Sequence, residues 1–252
     1  ETMRREGFEL SVSRPKVLFK QENGQKFNRL KKIFSSFVRK VHKCKKCPRI
    51  VQFRNKISSE KRKSYQDQTY WNKPVTGFGD LSAKLILIGL APAAHGATRT
   101  GRVFTGDKSA NFLFQCLFKS GLSNQPNSDH VKDGLKLKNT FITLALRCVP
   151  PQDKPKPIEL KNCSSFFKEE LNMLKNKKVI IALGKIAFDA CIRFYKENYN
   201  ISGSFKFAHG AKYKINDVYL VGCYHPSPRN VNTKRIDIPK MVSLFKEAKK
   251  LR

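Results

Sequence analysis

The stretch AKLILIGLAP, residues 83–92, decides the fold. Leu85 to Ile88 form a short run without a polar residue, closed by Gly89 and Pro92. Such a run reads as a strand buried on both faces, the kind found in parallel sheets. Working outward, SANFLFQCLFKSG (109–121) reads as a helix ending at Gly121. NTFITLALRC (139–148) reads as a second strand, and CSSFFKEELNMLK (163–175) as a helix that its leading serines would cap. KKVIIALG (177–184) and KIAFDACIRFYKE (185–197) repeat the order, as do DVYLVGCYHPSP (217–228) and PKMVSLFKEAKKL (239–251). Strands alternating with helices imply right-handed crossovers and a parallel sheet covered on both faces, an α/β fold.

Upstream of this block, Phe27, Leu30, Ile33, Phe34, Phe37, Val38 and Val41 recur at helical spacing. They predict an amphipathic helix that delivers the chain to Cys44. Residues 52–73 are charged and read as a loop ending in Tyr70 and Trp71. Residues 1–26 are polar and basic without a period, so they are expected to be a loosely attached arm on a single domain covering 27–252. No internal repeat or low-complexity tract stands out.

Charge is the strongest global feature. Lys and Arg number 51 against 19 Asp and Glu, a formal net charge of +32. Genomic bias toward Lys would be expected to raise Glu as well, and acidic residues are scarce. A polyanionic partner is favoured, nucleic acid ahead of an anionic membrane surface. Binding to phosphates would release counterions and be steeply salt-dependent. No apolar run reaches the 18 residues that a spanning helix would need, so no membrane span is expected. The seven cysteines, an odd number, include the pair CKKC at Cys44 and Cys47. This usage argues against a disulfide framework and for a reducing compartment.

In doubly covered parallel sheets the working groups collect at the carboxyl ends of the strands. Those ends carry GLAPAAHG, RCVPPQDKP, ALGK and CYHPSPRN, three of them rich in turns and in His, Asp, Arg or Cys. Two thiolates from Cys44 and Cys47 could share one centre with Cys148 and Cys163, and the cations around them would lower thiol pKa. Spacing alone leaves zinc and iron–sulfur both open, along with plain buried cysteines. Cys116, Cys191 and Cys223 fall on apolar faces and read as small core residues. No phosphate-binding GxxxxGK loop, HExxH or GxSxG motif is present.

Three motifs taken in order carry a resemblance: GLAPAAHGATRTGRVFTGD (89–107), RCVPPQDKPKP (147–157) and HPSPRNVNTKR (225–235). Together they resemble the uracil-DNA glycosylases, most of all family 5, or type b, over a span from Val41 to Lys250. The resemblance implies a three-layer α/β/α sandwich around a four-stranded parallel sheet. It implies a [4Fe–4S] cluster on Cys44, Cys47, Cys148 and Cys163. It also implies an activity: monofunctional release of uracil, and of hypoxanthine or other deaminated bases, from DNA. A monomer working in a bacterial-type cytoplasm or a DNA-containing organelle is the corresponding expectation.

Expelling a base from deoxyribose leaves positive charge on the sugar and negative charge on the departing pyrimidine, after the nucleotide has been flipped from the duplex. Elsewhere in the superfamily a carboxylate follows the first glycine of the first motif; here Leu90 and Ala91 stand there. Asp107 is then the catalytic carboxylate that the resemblance points to, and its position also suits a helix N-cap. His225, as a neutral imidazole, would donate to the leaving base. Substrate contacts are expected from Gly89, Ala91, Phe104 as the stacking face, and Asp153, where type b relatives carry Asn. His95 is open between a base or phosphate contact and a role in fixing its loop. Pro226, Ser227, Pro228 and Arg229 would press into the minor groove, with Lys234 and Arg235 on phosphate. Two readings from other classes stand beside this one: a non-catalytic iron–sulfur protein that binds damaged or abasic DNA, and a basic membrane-surface protein.

Overall fold

The computed structural model describes residues 16–252, with side chains from Gly24 onward. In chain order the elements are α1 (Lys16–His42), α2 (Pro48–Ser59), β1 (Phe78–Gly79), β2 (Leu85–Gly89), α3 (Ala97–Thr100) and α4 (Lys108–Lys119). There follow β3 (Thr140–Leu144), α5 (Pro157–Met173), β4 (Val179–Leu183) and α6 (Lys185–Tyr199). The chain closes with β5 (Lys212–Ile215), β6 (Val218–Cys223), α7 (Pro228–Asn232) and α8 (Ile238–Lys250).

The strands form one sheet in the order β1-β3-β2-β4-β6-β5. Its four central strands are mutually parallel, and β2, β3 and β4 are buried at every position. That burial explains why they read so clearly as apolar runs. Two short antiparallel strands, β1 and β5, extend the four-stranded sheet at its edges. Alternate residues feed two cores. Leu85 and Leu87 pack with Phe114, Leu117, Met241 and Phe245 of α4 and α8, while Ile86 and Ile88 pack with Phe167, Leu171, Phe188 and Phe194 of α5 and α6. This period of two across a covered sheet makes the three layers. From β2 the chain moves to β3 on one side and then crosses to β4 on the other, so the strand order reverses beside β2. Crevices open at the carboxyl end of such a reversal.

A third, smaller core joins Phe37 and Val41 of α1, Ile50 of α2, Leu146, and Phe166 and Met173 of α5. Beneath it lies a fully buried ion pair, Arg147 Nη2 to Glu170 Oε2 at 2.8 Å. Arg147 also donates to Thr143 Oγ1 at 2.7 Å, and Glu170 accepts from the Gly77 amide at 2.9 Å. The glutamate thereby ties α5 to β3 and to the segment entering β1.

Several expectations need correction. The first helix begins at Lys16, not at Phe27; residues 1–15 of the expected arm lie outside the described residues. The stretch read as a loop from residue 52 contains most of α2, which starts at Pro48, a favoured first helical residue. Helix α5 starts at Pro157, so Ser164 and Ser165 lie in its interior and cap nothing. Its first turn is closed instead by Glu159, whose carboxylate accepts from the Lys156 amide at 2.7 Å. Arg49 holds the same carboxylate through two bonds of 2.7 Å.

Removing one member of a buried ion pair leaves the other charge uncompensated, at a typical cost of about 3–5 kcal/mol. Glu170→Ala is expected to lower the unfolding free energy by that amount, through a lower urea midpoint at an unchanged slope, measured by equilibrium urea unfolding.

Candidate active site

A cleft of about 400 Å³ opens at the carboxyl ends of β2, β3 and β6. Leu90, Ala91, Pro92 and Ala93 wall it after β2; Leu144 and Asp153 contribute from β3 and the loop beyond. His225, Ser227 and Pro228 close it after β6, Phe104 and Asp107 arrive from the loop that leads into α4, and Ser109 from the first turn of α4. Three motifs far apart in sequence thus face one space because parallel strands end together.

Asp107 is the N-cap of α4 in extended backbone, and its Oδ1 accepts from the Ala110 amide at 2.9 Å. The other carboxylate oxygen lies against Gly96: a Cβ at that glycine would collide with Asp107 Oδ2. Burial pushes the Asp107 carboxyl above its usual range, opposed by the amides of Ala110 and Ser109 and by the Arg99 cation. One group therefore caps a helix and presents a partly desolvated carboxylate to the cleft. The loop around it is tied by Arg99, which donates to His95 O at 2.8 Å, Gly106 O at 2.8 Å and Gln68 Oε1 at 2.6 Å.

Phe104 stands in the left-handed region at φ 47°, costly for an aromatic residue and common where a site dictates the backbone. Its ring rests on Gly89, where a Cβ would come within 3.0 Å of it, and lies 5.9 Å from the His225 ring at an interplanar angle of 33°. His225 keeps some surface open to the cleft, yet the packing around it pushes its imidazole down to about 4. The ring is neutral at pH 7, with one N–H to give. Its backbone carbonyl is fixed by Asn230 Nδ2 at 2.9 Å and the Ser227 amide at 2.8 Å.

Asp153 sits on the cleft rim at φ 56°, after Gln152 in the same conformation, and partial desolvation raises its carboxyl. Ala91 lines the cleft with no ionisable group, as Leu90 does. Two of the expected substrate contacts are placed otherwise. Gly89 is buried at the end of β2, where its missing side chain makes room for Phe104. His95 lies outside the cleft lining: its Nδ1 pairs with Tyr70 OH at 2.8 Å, which fixes the loop from behind. In the last motif Pro226 is buried, so it offers no surface for the insertion into DNA expected of it. Ser227 caps α7 by accepting from the Asn230 amide, while Pro228, Arg229, Lys234 and Arg235 stand exposed beside the cleft. Sequence reading did not give Ser109 or Ala93 a place in the cleft. The collision that makes Gly96 necessary has no local signal.

On the other side of β3, Cys44, Cys47, Cys148 and Cys163 line one small cavity, and none is in a disulfide. Their sulfurs receive donors: Arg54 Nη1 to Cys148 at 3.1 Å, the Arg147 amide to Cys163 at 3.3 Å, and Asn162 Nδ2 to Cys47 at 3.6 Å. Burial pushes the thiols of Cys148 and Cys163 up to about 12 and about 11, so a cation is needed there to draw out thiolates. Among the described residues, no three His, Cys, Asp or Glu side chains are gathered to hold a single metal ion. Cys191 and Cys223 are buried in the two main cores, and Cys116 lies in α4 against the sheet.

The match to known proteins agrees with this geometry. A model of the uracil DNA glycosylase superfamily matches residues 76–249. A type-5 uracil-DNA glycosylase of Pyrobaculum aerophilum is 39% identical over 85% of this chain and 92% of its own length. Those of Mycobacterium bovis and Thermus thermophilus are 41% and 39% identical, over 82% and 86% of this chain and 78% and 97% of theirs. The chain belongs to the uracil DNA glycosylase superfamily, in its type-5 group.

Folding lowers the His225 pKa from 6.5 to about 4. The folded state then refuses a proton that the unfolded chain accepts, so this contribution is complete above pH 6.5 and lost as pH falls toward 4. An NMR titration is expected to show a neutral His225 ring from pH 7 to below 5.

Proposed function

We propose that this protein is a monofunctional uracil-DNA glycosylase that hydrolyses the N-glycosidic bond of uracil in DNA and so initiates base excision repair. The observation that carries the reading is a single cleft lined by a carboxylate, a neutral imidazole and an aromatic face, Asp107, His225 and Phe104. A base flipped into the cleft stacks on Phe104. The His225 N–H donates to the pyrimidine oxygen on which negative charge grows as the bond to C1′ breaks. Asp107 steadies the sugar cation and orients the water that adds to it, fixed in direction by the Ala110 amide. Asp153 accepts from the ring N–H beside a carbonyl that uracil and hypoxanthine both carry, which admits deaminated purines as further substrates. Among the described residues no lysine lines the cleft to attack C1′, in keeping with base release without strand cleavage. The net charge of +32 and the exposed Arg229, Lys234 and Arg235 suit a phosphate backbone.

The four cysteines around one cavity would hold a [4Fe–4S] cluster, since four thiolates are the donor set such clusters take. N–H donors aimed at three of the sulfurs suit an electron-rich thiolate set. When bound, the cluster would tie α2, the end of β3 and α5 together and take no part in base release. The non-catalytic alternative has no observation in its favour.

Free base is expected from uracil-containing oligonucleotide incubated with iron-loaded protein, without strand scission. His225→Ala and Asp107→Ala are each expected to lower the single-turnover rate by about 10²-fold or more. Gly96→Ala is expected to act like Asp107→Ala in rate while keeping the fold, since its methyl displaces the carboxylate. Because the Asp107 carboxyl is raised, the wild-type rate is expected to decline with acid at a pH above the ordinary carboxylate range. Iron-loaded protein that leaves uracil, hypoxanthine and xanthine all in place would overturn the assignment.

A further inference from the structure

Three buried or half-buried arginines have carboxylate partners: Arg49 with Glu159 at 2.7 Å, Arg102 with Asp133 at 2.7 Å and Arg147 with Glu170 at 2.8 Å. Arg54 is 6% exposed and has no carboxylate partner among the described residues. A buried guanidinium without a counter-charge is costly. Its two side-chain partners are Cys148 Sγ, 3.1 Å from Nη1, and Asn72 Oδ1, 3.2 Å from Nε.

The second partner leads to the catalytic loop. Asn72 sits at φ 47°, a conformation asparagine tolerates, and its amide donates to Thr98 O at 3.2 Å. The neighbouring Trp71 amide donates to Arg99 O at 2.8 Å. The Trp71 ring packs on Gly101, where a Cβ would stand 2.9 Å away. These contacts seat residues 71 and 72 on α3, the single turn inside the loop. From α3, Arg99 reaches Gly106 O at 2.8 Å, and the next residue is Asp107.

We propose that Arg54 is a positioning residue for base release: anchored by its hydrogen bond to the Cys148 sulfur, it holds, through Asn72, the loop of residues 96–107 where Asp107 meets the cleft. The proposal rests on the glycosylase and cluster readings above. It makes the four-cysteine site a support for the reaction geometry as well as a staple of the fold.

Two variants test it without touching a cysteine. Asn72→Gly keeps the left-handed backbone and removes the acceptor for Arg54; Arg54→Lys keeps a cation near Cys148 but cannot span both partners. Each is compared with wild type for iron per chain, amide hydrogen exchange, DNA affinity and single-turnover uracil release. The expected result is wild-type iron content and DNA affinity, with exchange across residues 97–106 faster by about tenfold and the release rate lower by about tenfold or more. Wild-type exchange and wild-type rate in both variants would overturn the proposal. So would exchange rising equally in β2 and β4, which marks general loss of stability. A wild type purified without iron would overturn the cluster reading instead, and the exchange comparison would still decide whether Arg54 holds the loop.

Discussion

The seat of Asp107 is the constraint on which the site depends. A carboxylate is pulled out of water, fixed by an amide at the start of α4, and accommodated by a glycine that has no atom where its oxygen lies. Each of these conditions costs something alone: desolvation disfavours the charge, and Gly96 gives up chain entropy on folding. The helix terminus offsets the first, because its free amides and dipole favour an anion. The loop is then closed by Arg99, whose guanidinium spans two carbonyls and a glutamine.

Around that seat the electrostatics are divided. The chain carries a net charge of +32, suited to a polyanionic partner. The cleft itself holds two carboxyl groups and a histidine kept neutral by its surroundings, with no lysine or arginine on its lining among the described residues. Long-range attraction and local chemistry are thereby assigned to different residues. Positive charge suits the DNA backbone, while the cleft holds the groups proposed to act on the sugar and the departing base.

Packing behind the cleft has the same economy. The buried Arg147–Glu170 pair anchors β3 to α5, and Arg147 at the same time offers its amide to Cys163. Arg54 does the complementary task between Cys148 and Asn72. The cysteine cavity and the cleft lie on opposite flanks of β3 and its continuation, so the short stretch from Leu144 to Asp153 serves both.

The sequence by itself determined the four parallel strands and their helices, because strands buried on both faces must be apolar throughout and leave an unambiguous run. It determined, through three ordered motifs, which loops meet at the strand ends, and it placed four cysteines as a set. It did not disclose β1 and β5, which are too short to carry a period, or α2, whose charged exposed side hid a helix. Tertiary structure alone decided that Gly96 makes way for Asp107, that Gly89 makes way for Phe104, and that His95 serves its loop from behind. It alone paired a buried Arg54 with a sulfur and an asparagine. The physical reason is common to all of these: each is a contact between residues distant along the chain or turned by the backbone, and hydrophobic periodicity reports which face is buried but not which atom meets which.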